Sequence, residues 1–123
     1  MKKKPRPLTP KRGEVWIVNF DPTIGSEIKK IRPAVILQND IGNRFSSVTI
    51  VAAISSHSGD LLYPTEVLAG PPEGGLEKPS IVLLNQIRTV DKKRLVTRIG
   101  RIELGTMRAI DRAILISLGL VDM

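Results

Sequence analysis

Between residues 14 and 101 the apolar, β-branched stretches of this chain follow one another too closely for helical crossovers. EVWIVNF begins at Glu14, PAVILQ at Pro33, SVTIVAAI at Ser47, TEVLA at Thr65, SIVLLNQIRTV at Ser80 and LVTRIGRIE at Leu95. Parallel neighbours need a connection of a dozen or more residues, usually a helix, so strands spaced like this must pair antiparallel. The intervening residues carry turn chemistry instead. Pro22 and Gly25 break the loop 21–31, NDIGNRFS is expected to turn through Gly42-Asn43, and HSGDLLYP is a polar loop. GPPEGGLEKP holds three glycines and three prolines in ten residues and belongs on the surface.

Within EVWIVNF, Val15, Ile17 and Asn19 alternate with Trp16, Val18 and Phe20, the period of a strand covered on both faces. SVTIVAAI is the richest in β-branched residues and is expected to be the most buried. SIVLLNQIRTV is long enough to bend or to be shared between two pairings. Six or seven short strands in roughly 90 residues predict a small closed or half-closed barrel. The pattern then changes. Leu104, Met107, Ile110, Ile114 and Leu118 recur at helical spacing, with Arg108, Asp111 and Arg112 on the opposite side and Gly119 as the stop. The expected fold is mainly β with a C-terminal helix laid over the barrel as a lid.

A chain of 123 residues suits one domain with one core. Its net charge of +7 is unevenly placed. Lys2, Lys3, Lys4, Arg6, Lys11 and Arg12 lie in residues 1–12 with no acid among them, whereas the remainder is nearly balanced. With prolines at 5, 7 and 10, residues 1–12 read as a basic, disordered tail and 13–123 as the barrel domain. Bulk charge therefore says little about nucleic acid. The absence of cysteine rules out disulfides and thiolate zinc sites and suits a reducing cytoplasm. No apolar segment follows the basic start as in a signal peptide, and no run approaches the roughly 20 apolar residues of a membrane helix. The expected location is cytoplasmic.

Most catalytic machinery is missing. His57 is the one histidine, and a lone loop histidine is more often solvated than catalytic. No GxxxxGK[ST], GxGxxG or Gly-x-Ser-x-Gly string occurs, and the carboxylates are scattered without metal-ligand spacing. No metal and no cofactor are expected. An enzyme built from these residues would work chiefly by holding and neutralising a charged substrate. Arg32 is suited to that role. It sits between the loose, basic run 25–31 and a buried strand, and Pro33 restricts the backbone that presents it.

The strings RGEVW, DPTIGSE, IRPAVIL, QNDIGNRFS, IVAAIS and LLNQIRTVDKKRL, in this order from Arg12 to about Leu120, resemble the MazF/PemK family of toxin endoribonucleases. QNDIGNRFS and QIRT-D look like its bacillus-like branch. The resemblance implies an SH3-like barrel of the CcdB/MazF type and a homodimer. It also implies metal-independent cleavage of single-stranded RNA (mRNA) at a short specific sequence, leaving a 2′,3′-cyclic phosphate and a 5′-hydroxyl. The partner implied is a MazE-like antitoxin of a type II toxin-antitoxin system, which occupies the RNA channel.

By the same resemblance Arg32 stands at the catalytic arginine position. Its forked, always protonated guanidinium matches the equatorial oxygens of a phosphorane-like transition state. The second catalytic position is a hydroxyl at the end of the third strand, usually threonine; here it is Ser55, with Ser56 beside it as a substitute. The loop 21–31, with Ser26 and Glu27, resembles the family's flap over the RNA, and Asn39 and Gln86 fall at positions associated with RNA contact. Asn39 reads equally well as a turn cap before Asp40. Base stacking would draw on Phe20, Phe45 and Tyr63, with Trp16 expected in the core. Two alternatives stand beside the nuclease. A CcdB-like gyrase poison would carry a C-terminal Trp-Gly-Ile, where this chain has Gly-Leu-Val-Asp-Met. A non-catalytic SH3-like RNA- or protein-binding module would bind equally well without Arg32 and cut nothing.

Overall fold

The computed structural model describes residues 9–22, 24–27, 30–57, 59 and 62–122. Six strands form: β1 (Glu14–Asn19), β2 (Ile31–Ile36), β3 (Val48–Ser56), β4 (Glu66–Ala69), β5 (Ser80–Asp91) and β6 (Leu95–Arg101). Two helices accompany them, α1 (Asp40–Phe45) and α2 (Leu104–Ser117). The strands make one sheet in the order β4-β5-β3-β2-β1-β6, every pairing antiparallel.

The alternation read in EVWIVNF divides the core into two clusters on opposite faces of the sheet. Val15 packs with Val35, Ala52, Ile54 and Val82. Trp16, Val18 and Phe20 pack with Ala34, Ile36, Val51 and Ala53. Phe20 and Trp16 are 1% and 6% exposed, so neither offers a face to a nucleobase, whereas Phe45 and Tyr63 stand largely in solvent. Glu14, buried at the start of β1, is satisfied by Lys11 N–H (2.7 Å), Trp16 Nε1 (3.2 Å) and the Arg98 guanidinium (3.1 Å).

β5 is shared between two partners, as its length suggested. It pairs with β3 along both of its halves and with β4 along the first, and residues 83–86 bulge opposite Ala53, between the pairs Ile54↔Val82 and Ala52↔Ile87. The 3-10 turn Glu73–Gly75, which follows β4, packs against β6. A Cβ on Gly75 would fall 2.0 Å from the carbonyl oxygen of Ile99, and one on Gly100 would fall 2.4 Å from the carbonyl carbon of Gly74. Only backbone fits in this seam between the turn and β6.

Helix α2 lies over the first core cluster through Met107, Ile110 and Ala113, while Leu104 and Leu118 at its ends are exposed. Burying an apolar side chain such as Ile110 contributes about 2–3 kcal/mol. Gly119, at φ +73°, ends the helix. At the other end Glu103 makes no side-chain cap; Glu73 supplies one from the 3-10 turn, accepting Glu103 N–H (2.9 Å) and the Thr106 hydroxyl (3.2 Å).

NDIGNRFS differs from the turn expected of it. It forms α1, with the Asn39 side-chain oxygen accepting Gly42 N–H (2.8 Å) as N-cap. Asn43, fully buried, accepts from Thr49 Oγ1 (2.7 Å) and Gln38 Nε2 (3.1 Å), and donates to the Gln38 carbonyl (2.9 Å). A segment with Gly42 in its middle has weak helix propensity, and this tertiary network holds it. Of the expected tail, residues 1–8 lie outside the described residues. Arg12 belongs to the packed domain: its Nε donates to Leu37 O (3.0 Å) and its guanidinium pairs with Asp111. Among the described residues no helix is long and apolar enough to cross a membrane.

Candidate active site

Pro33 sets the geometry. Lacking an N–H, it cannot extend the β2–β3 ladder, which begins at Ala34↔Ala53. Beyond that pair the strand ends part and a cavity of about 340 Å³ opens, lined by Arg32, Pro33, Ser55, Ser56, Glu77 and Lys78 among others. Continuing the register of Ala34↔Ala53 by two residues sets Arg32 opposite Ser55. Parity agrees: Arg32 falls on the face of Ala34 and Ile36, and Ser55 on the face of Val51 and Ala53, which pack in one cluster. Ser56 has the other parity, that of Ile54. Arg32 and Ser55 are half-buried and Ser56 is exposed.

The loop between β1 and β2 is pinned at its base. Phe20 N–H donates to Lys30 O (2.9 Å), Lys30 N–H to Asp21 Oδ1 (2.8 Å), and Arg94 Nη1 to Asn19 O (3.1 Å). Ser26 and Glu27 are carried beyond that base, exposed, and with Phe20, Gln86 and Arg88 they line a second cavity of about 430 Å³. Gln86 reaches it from the β5 bulge.

The expected site residues therefore fall in two groups. Arg32 and Ser55 share the first cavity; Ser26, Glu27 and Gln86 share the second. Asn39 lines neither, its side-chain oxygen being engaged at the α1 cap. Sequence reasoning passed over Arg88, Glu77 and Lys78. For Arg88 a signal existed, since Gln86 and Arg88 are two apart on a strand and so share a face. Among the described residues no three His, Asp or Glu side chains converge as a metal site would require.

The family model for the PemK-like, MazF-like toxins of type II toxin-antitoxin systems matches residues 11–118. The chain belongs to this family. It is 44% identical over 112 residues to endoribonuclease EndoA of Bacillus subtilis, spanning 91% of this chain and 97% of that one. Solved structures share its fold at lower identity. MazF from Deinococcus radiodurans superposes with a TM-score of 0.78 at 22% identity, covering 91% of this chain and 98% of that one. An endoribonuclease solved in complex with its cognate antitoxin from a mycobacterial species gives 0.75 at 24% identity, covering 93% and 99%. The mainly β fold with its C-terminal helix is that of the MazF structures, as the resemblance implied.

Proposed function

We propose that this member of the PemK/MazF family is the toxin of a type II toxin-antitoxin pair, an endoribonuclease that cuts single-stranded RNA at a short sequence without a metal. The observation that carries the reading is that Arg32 and Ser55 both line one cavity beyond the last β2–β3 pair. The similarity to EndoA, named an endoribonuclease, supports it.

In this scheme the 2′-oxygen attacks phosphorus, the P–O5′ bond breaks, and the products are a 2′,3′-cyclic phosphate and a 5′-hydroxyl. The transition state carries extra negative charge on its equatorial oxygens. Arg32 offers forked donors to that charge and Ser55 a hydroxyl donor; each such donor is worth on the order of 3 kcal/mol of barrier. Ser26 on the loop and Gln86 on the bulge read the bases of the RNA strand by edge hydrogen bonds, and Glu27 borders the same cavity. The protein acts as a cytoplasmic homodimer restrained by a MazE-like antitoxin over the RNA channel.

Sequencing the 5′-hydroxyl ends produced from a long RNA tests the reading, with wild type and Arg32→Ala side by side in excess EDTA. Wild type should cut at one recurring short motif, and Arg32→Ala should lose cleavage while RNA binding weakens far less. Arg32→Lys should rescue poorly because it lacks the fork. Cleavage that stops with chelator and returns with magnesium would overturn the scheme. RNA binding without any cleavage by wild type would favour the non-catalytic module.

A further inference from the structure

The second cavity contains an arginine that the reaction scheme leaves unused. Arg88 Nη1 donates to the carbonyl oxygen of Phe20 at 3.1 Å, and its Cζ lies 5.7 Å from the centroid of the Phe20 ring. That ring is buried, so it forms a fixed shelf beneath the guanidinium. A guanidinium has five N–H donors. The bond to Phe20 is the one hydrogen bond the Arg88 side chain makes among the described residues. Glu27 Oε2 stands 3.9 Å from Nη1, close enough for attraction and too far for a hydrogen bond. The Arg88 side chain is 28% exposed and that of Glu27 52%. Arg88 is thus fixed in direction, always charged, and faces the cavity with donors to spare. A carboxylate is held loosely where an anion would sit.

A planar cationic fork of this kind is matched to phosphate oxygens. We propose that Arg88 binds a non-scissile phosphate of the RNA strand and that Glu27 holds its place in the RNA-free protein. The proposal rests on reading the chain as an RNA-cleaving enzyme. The phosphate is non-scissile because the cavities of Arg88 and Arg32 share no lining residue. Arrival of the strand replaces the long Glu27 contact with charge-assisted hydrogen bonds and releases the loop carboxylate.

The test uses a short RNA spanning a mapped cleavage site, made uncleavable by one 2′-deoxynucleotide and carrying a single neutral methylphosphonate at successive linkages. Binding is measured by fluorescence anisotropy for wild type, Arg88→Ala, Arg88→Lys, Glu27→Gln and the double variant Glu27→Gln/Arg88→Ala. One linkage away from the cut should cost wild type about tenfold in affinity when neutralised, and cost Arg88→Ala nothing further. Arg88→Ala should also lower the salt slope by about 0.7. Glu27→Gln should tighten binding about threefold, a gain absent from the double variant. If Arg88→Ala does not fold, Glu27→Gln and Arg88→Lys decide: no tightening in the first, or no linkage effect in the second, overturns the proposal. So does a set of linkages that respond identically in wild type and Arg88→Ala, or a dependence on Arg88 that follows a base substitution and no linkage. A protein that cuts no RNA fails the nuclease reading; one that cuts RNA without an Arg88-dependent linkage fails this proposal alone.

Discussion

At the end of β3 a shift of one residue moves a hydroxyl from one face of the sheet to the other. Ser55 and Ser56 both line the cavity of Arg32, but only Ser55 shares the parity of Val51 and Ala53, the face on which Arg32 lies. Ser55→Ala should lower the single-turnover cleavage rate by about two orders of magnitude with little change in affinity, and Ser56→Ala should be nearly silent. Ser55→Thr should be at least as active as the parent, because its extra methyl restricts the rotamers of the same donor. A silent Ser55→Ala beside a crippled Ser56→Ala would move the site by one residue. Arg32 stood out in the sequence as a charge abutting an apolar strand, whereas Ser55 was proposed only through the family resemblance. Asn39 could not be placed, since capping a helix and pairing with a base edge call for the same amide. For Arg88 the spacing from Gln86 hinted at a shared face, but its contact with Phe20, 68 residues away, is not encoded locally.

Among the elements, α2 has the clearest dependence on a distant residue. Its first turn is capped by the Glu73 carboxylate, which binds Glu103 N–H and the Thr106 hydroxyl. Glu73→Ala should cost about 1 kcal/mol, seen as a fall in Tm of about 3–6 °C. Cleavage at 25 °C should be unchanged, because Glu73 lines neither of the two site cavities. Glu103→Ala is the control: its side chain makes no cap bond, so its Tm should move less. An equal loss from both would mean that the charge of either acid near the helix start matters, and the specific bonds do not. The six strands and α2 were legible because periods of two and 3.6 survive in a single sequence. The α1 segment was misread as a turn because its support is the Asn43 network, which exists only once Gln38, Thr49 and Lys92 have come together. A small closed or half-closed barrel was expected, but the close backbone contact at Gly75 and Gly100 was not read from the sequence.

For the molecule as a whole, charge and connectivity set the expectations. Deleting residues 1–8 removes Lys2, Lys3, Lys4 and Arg6, four of the seven net positive charges, and spares Arg12 with its bonds to the domain. The cleaved motif should stay the same while the salt dependence of RNA binding becomes shallower. Altered site choice in the truncated protein would show that the segment reads sequence. Connectivity has a different reach. β1 is an interior strand of the sheet, yet one of its two partners is β6, through Glu14↔Arg101 and Val15↔Gly100. On a ribosome adding about 5–20 residues per second, β1 emerges roughly 4–15 s before β6 exists to pair with it. During that interval α2 is absent too, and the apolar face it covers stays open. The nascent chain therefore carries Arg32 and Ser55 on strands that have no finished barrel to hold them. The timing of synthesis thus keeps the growing chain unassembled while the message that encodes it is still being read.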